Sequence, residues 1–149
     1  PTFTGRRVQH MTFTATTGVE FDPASGNEEA GLTVLNNGTH FDILIKRSGG
    51  KRVLVSRLRF GSVIFESEET VLRPGPVRLA VSGERSGLSF MYAQGNDPMK
   101  VIQKADPRFL SSETAGGFTG LYVGLYTTGN GKPCKAFADY DWFVYEGKD

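Results

Sequence analysis

The feature that most restricts the fold of this chain is a period of two. Phe41, Ile43 and Ile45 fall on alternate positions. So do Val77, Leu79 and Val81, then Leu88, Phe90 and Tyr92, then Leu121, Val123 and Leu125. Successive side chains of an extended strand point to opposite faces, so each set aims at one core. No window carries apolar residues at the spacing of an amphipathic helix. Turn signals cut the segments roughly every 8–12 residues, the rhythm of an all-β sandwich. Asn36-Asn37-Gly38 separates AGLTVL from HFDILI, and Ser48-Gly49-Gly50-Lys51 separates that segment from RVLVSRLRF. Such pairs accept the positive φ of a tight hairpin. Pro74-Gly75-Pro76 ends SVIFESEETVL, and Gly129-Asn130-Gly131 precedes the last segment, KAFADYDWFVYE. The expected fold is one all-β domain over residues 1–149, an antiparallel two-sheet jelly-roll sandwich of about ten or more strands.

A chain of 149 residues can bury a core without staples. Cys134 is the only cysteine, so no internal disulfide forms. The formal charge of +1 gives no reason to expect a nucleic acid or a membrane surface as partner. No apolar run approaches the ~18 residues of a membrane span. The chain begins at Pro1 without a methionine, which reads as a piece of something longer.

Hydrolysis of a glycosidic bond needs two carboxylates around one site. Asp22, Glu28 and Glu29 sit in turns or charge runs, and Glu66, Glu68 and Glu69 read as the solvated face of an edge strand. Asp139 and Asp141 differ: under strict alternation they share one face of an aromatic-rich final strand. They could hold a hard cation through oxygen, act as acid and base, or face water. His10 and His40 have no zinc-ligand spacing. No catalytic set assembles, and no cofactor is required. Tyr122 and Tyr126 flank Gly124 on the face opposite Leu121, Val123 and Leu125. That pattern gives a flat sugar platform if the face is open, or a second buried layer if it is not.

Four stretches carry a resemblance: GRRVQH (5–10), NEEAGLTV (27–34), SSETAGGFTGLYVGLYTTGNG (111–131) and ADYDWFVYE (138–146). With them the chain resembles the C-terminal concanavalin A-like domain of family-43 glycoside hydrolases, the β-xylosidase and α-L-arabinofuranosidase group. The resemblance implies that the catalytic carboxylates belong to an N-terminal propeller and that this chain has none. It also implies a loop that reaches the propeller and helps close its pocket. That loop commonly reads Gly-Phe-Phe-Thr-Gly. Here Gly117 stands in place of the first Phe, while Phe118 and Thr119 match the residues that follow. Arg6, Arg7 and His10 would lie near the join.

Two functions follow from the resemblance. One is a non-catalytic accessory domain docked on the propeller. The other is an independent carbohydrate-binding module that takes xylo- or arabino-oligosaccharides at Tyr122 and Tyr126. Lectin-like sandwiches of related shape often carry a structural calcium near the final strand. The resemblance therefore makes Asp141 the first ligand to suspect, with the Phe21-Asp22-Pro23 loop as a source of carbonyls.

Overall fold

The computed structural model describes residues 2–8, 12–36, 39–84, 87–105, 121–132 and 138–148. They form β1 (Thr2–Arg7), β2 (Thr12–Glu20), β3 (Glu29–Asn36), β4 (Thr39–Ser48), β5 (Lys51–Phe60) and β6 (Val63–Glu66). The remainder are β7 (Thr70–Val71), β8 (Val77–Glu84), β9 (Gly87–Gln94), β10 (Lys100–Ala105), β11 (Tyr122–Thr128) and β12 (Asp139–Lys148). Among the described residues there is no helix, and so none long and apolar enough to cross a membrane.

All pairings are antiparallel. A seven-stranded sheet runs β1-β11-β3-β4-β5-β6, with β7 also on β5, and a five-stranded sheet runs β10-β9-β8-β2-β12. The glycine turns do what their sequence implies. Ser48 pairs with Lys51 across Gly49 and Gly50, whose φ values are 56° and 78°. Both central residues are thus left-handed, the geometry that matches the twist of a two-residue hairpin. Asn36 pairs with Thr39 at the neighbouring hairpin.

The alternating sets meet between the sheets. Ile43, Ile45, Leu79, Val81, Phe90, Leu121 and Val123 are fully buried. Phe41 of one sheet stacks on Phe90 of the other with ring centroids 4.5 Å apart. At one open side the guanidinium of Arg6 lies 4.0 Å from the centre of the Tyr145 ring, a cation–π clasp between the two edge strands β1 and β12.

Two expectations need correction. SVIFESEETVL is not one strand: β6 and β7 are separated by Ser67–Glu69, and Ser67 turns back to bond Ser56 through its amide and its hydroxyl. The final strand does not alternate strictly. Tyr140 pairs with Val19 but Trp142 pairs with Gly18, so a β-bulge inserts one residue between them. Tyr140, Phe143 and Tyr145 therefore pack on the core, while Trp142 and Val144 face outward. The alternation that would place Asp139 and Asp141 on one face is broken at that bulge.

Candidate functional site

The outward face of the seven-stranded sheet carries the chemistry. Strand register arranges its side chains in cross-strand rows. One row reads Gly124, Thr33, Asp42, Arg57, Glu66. The row on one side reads Tyr122, Leu35, His40, Arg59, Ile64, and the row on the other reads Tyr126, Gly31, Leu44, Val55. Beyond it come Thr128, Glu29, Lys46 and Val53.

Arg57 reaches across this ladder. Its Nη1 and Nη2 lie 2.5 and 3.0 Å from Oε1 and Oε2 of Glu29, a two-pronged bond between side chains that are each less than a tenth exposed. The register places Leu44 between the two partners, and Leu44 is wholly buried beneath them. In the same row as Leu44, Gly31 lies so close to β4 that a Cβ there would run into the Ile43 carbonyl. Burial alone pulls the guanidinium pKa down. The bond and charge of Glu29 outweigh that and raise it above its ordinary value. At Glu66 burial pushes upward, but Lys46 at 2.6 Å and Arg57 hold the carboxylate below the usual range. The Nδ1 of His40 lies 3.0 Å from both carboxylate oxygens of Asp42.

Tyr126 sits in the middle of this network. Burial, with the charges of Asp42 and Glu29, pushes its phenol well above the ordinary value, so the hydroxyl keeps its proton. Tyr140 reaches up from the opposite sheet and donates to the Tyr126 carbonyl at 2.6 Å, and burial pushes its pKa up to about 12. A depression of about 310 Å³ lies over these rows, lined by residues that include Thr33, His40, Asp42, Arg59 and Tyr126. Tyr122 is 42% exposed at its margin, while Tyr126 is half-buried. The space over Gly124 between them is taken by the Phe3 ring, which a Cβ at Gly124 would meet at 2.8 Å.

The ends of the strands locate other expected residues. Arg7 pairs with Tyr122, and the Val8 amide donates to the Leu121 carbonyl at 2.8 Å. Arg6 and Arg7 thus stand beside the first residues of β11. Gly117, Phe118, Thr119 and His10 lie outside the described residues, as does the side chain of Asp141. Among the described residues no group of three or more His, Cys, Asp or Glu is placed to hold a metal. In the loop expected to supply carbonyls, Arg52 takes the Phe21 oxygen at 3.0 Å and Arg47 takes that of Pro23 at 2.7 Å.

Sequence reasoning missed the Glu29–Arg57 bridge and read Glu66 as merely solvated. The available signal was the charge inside strand patterns: Asp42 between Phe41 and Ile43, Arg57 within RVLVSRLRF.

Two antiparallel sheets with a shared core and one charged outward face define a lectin-like sandwich module. The chain belongs to the family of β-xylosidase C-terminal concanavalin A-like domains, whose profile matches residues 1–146. It is 32% identical over its whole length to 28% of a non-reducing-end α-L-arabinofuranosidase from Bacteroides ovatus. It is 26% identical, over 98% of its length, to 28% of a xylosidase/arabinosidase from Butyrivibrio fibrisolvens. The chain thus spans less than a third of the length of these relatives. A solved Bacteroides ovatus xyloglucan-locus GH43B protein superposes on 98% of the chain with a TM-score of 0.88 at 32% identity, using 29% of its own chain. A functionally unknown Saccharomyces cerevisiae protein shares the fold at 17% identity with a TM-score of 0.75. There the match covers 97% of this chain and 73% of that one.

Proposed function

We propose that this chain is a non-catalytic accessory domain of a family-43-type glycosidase acting on xylose- or arabinose-containing glycans. It docks on an N-terminal catalytic propeller and shapes the pocket there. The observation that carries this reading is the whole-chain match to a domain that fills under a third of xylosidases and arabinofuranosidases. The carboxylates support it. Glu29 has both oxygens bound by Arg57, and Asp42 is held by His40. Neither is free to serve as an acid opposite a base. The residues assigned to the docking contact are Arg6, Arg7 and His10, with Gly117, Phe118 and Thr119.

The test is to assay the 149-residue chain, the catalytic part and the joined protein on aryl xylosides and aryl arabinofuranosides. The chain alone should be inactive. Phe118→Ala in the joined protein should lower kcat/KM by about tenfold, the effect of losing roughly 1.4 kcal/mol of transition-state positioning. Turnover that follows the folded 149-residue chain through purification would overturn the reading.

A further inference from the structure

Native proteins leave few buried polar atoms without a hydrogen bond, and each one asks for a cause. Among the described residues the side-chain atoms of this kind are Thr33 Oγ1, Arg57 Nε, Arg59 Nε and the Tyr126 hydroxyl. All four belong to the outward face of the seven-stranded sheet, in adjacent rows, and line the same depression. Arg57 Nε has Glu66 Oε2 3.5 Å away, an ion pair without hydrogen-bond alignment. The other three have no such neighbour. Among the described residues the core contributes none, so the buried polar groups without a partner there gather on this face.

The lining says what would satisfy them. Glu29 is paired with Arg57 and Asp42 accepts from His40, while Arg59 has no ion-pair partner among the described residues, so two carboxylates face two guanidinium groups. An added anion would face the carboxylates of Glu29 and Asp42, and an added cation would face the guanidinium groups of Arg57 and Arg59. What remains is a mixture of donors and acceptors: two hydroxyls that do both and one N–H that donates. Leu35 and the Tyr126 ring add apolar surface between them. A neutral ligand rich in hydroxyls, with apolar C–H faces, fits this mixture. The lining runs from Glu29 to Leu35 along β3, about 20 Å of strand, which is long enough for several linked sugar rings.

We propose that the outward face of the seven-stranded sheet is a non-catalytic glycan-binding site, centred on Thr33, Arg59 and Tyr126, for a stretch of neutral polysaccharide. Its hydroxyls would supply the hydrogen bonds that these groups lack. The site runs along the sheet face and reaches the Arg7–Tyr122 row at one end; it goes beyond the proposed accessory role and does not rest on it.

The test is titration of the isotope-labelled 149-residue chain with xylohexaose, cellohexaose and arabinoxylan, with polygalacturonate as the charged control. At least one neutral glycan should shift the amides around Thr33, Arg59 and Tyr126 saturably. Tyr126→Phe and Thr33→Val should each weaken that binding about fivefold, one hydrogen bond's worth, without lowering the melting temperature. Each removes an unpaired polar atom, so a purely structural role would not separate affinity from stability. The proposal fails if no neutral glycan shifts these amides at about 10 mM, beyond useful affinity. It also fails if polygalacturonate binds more tightly, or if both variants bind as the parent does. None of these outcomes bears on whether the strand end docks a propeller.

Discussion

The two outward faces of this sandwich are built on opposite principles. On the seven-stranded sheet, Glu29, Asp42 and Arg57 are buried on a face turned away from the core. On the five-stranded sheet the corresponding surface is the threonine row Thr12, Thr14 and Thr16, beside Trp142 and Val144, which are 40% and 44% exposed. The first face spends desolvation energy on ion pairs that a plain solvent surface does not need. The second carries short hydroxyls, one of them donated by Thr12 to the Lys148 carbonyl, and sets one indole against Gly18. A sheet needs only one buried face to fold, so the cost met on the charged face points to recognition rather than to stability.

The largest expected effect tests that cost. Glu29→Gln or Arg57→Met alone should lower unfolding free energy by about 3–5 kcal/mol in urea, because each leaves a buried charge without its partner. The double variant Glu29→Leu/Arg57→Met should recover most of the loss. If the double variant is as unstable as the singles, the pair holds the sheet together and the contrast between the faces collapses.

Glycines give a sharper, intermediate comparison. At Gly31 a Cβ would strike the Ile43 carbonyl, which is backbone and cannot move alone. At Gly18 it would meet Trp142 Nε1 at 2.8 Å, and an exposed indole can turn aside. Gly31→Ala should therefore cost about 3 kcal/mol or more. Gly18→Ala should cost less than about 1 kcal/mol, within the range of ordinary surface changes. Trp142 is the only tryptophan, so its emission reports the displacement directly. Equal costs at the two positions would mean that both faces are packed alike.

The smallest effect is one of pH. The Glu66 carboxylate is held below the ordinary 4.5 because Lys46 and Arg57 outweigh its burial. Its contribution is fully present above that ordinary value and fades as pH falls through the depressed one. Glu66→Gln should flatten the acid limb of a plot of melting temperature against pH. Trp142→Phe, on the other face, should leave that limb unchanged. An unaltered limb in Glu66→Gln would show that the ion pair is fully screened.

The core was legible because its signal is local: Ile43, Leu79, Phe90 and Val123 are read from two-residue spacing, and the Gly49-Gly50 turn from its own dihedral demands. What joins distant segments was not legible. β1 pairs with β11 and β2 with β12 across most of the chain, and no turn residue records such a choice. The Glu29–Arg57 bridge depends on three strands in register, so neither residue marks it alone. Glu66 looked like a solvated edge because its cations come from β4 and β5. Tyr122 and Tyr126 were rightly assigned to a common face, yet the Phe3 ring that fills the gap between them comes from another strand.

The bulge in β12 sets a reading frame. Upstream of it Tyr140 faces the core, and downstream Phe143 and Tyr145 do. These residues are separated by an odd step, which a strict two-residue repeat cannot produce. The inserted residue acts as a phase shift between two otherwise regular halves. Loss of the inserted residue would make the ladder continuous and leave Tyr140, Phe143 and Tyr145 in simple alternation, all still facing the core. This is therefore a point where β12 can lose one residue without turning its core side chains outward, which a regular strand cannot do.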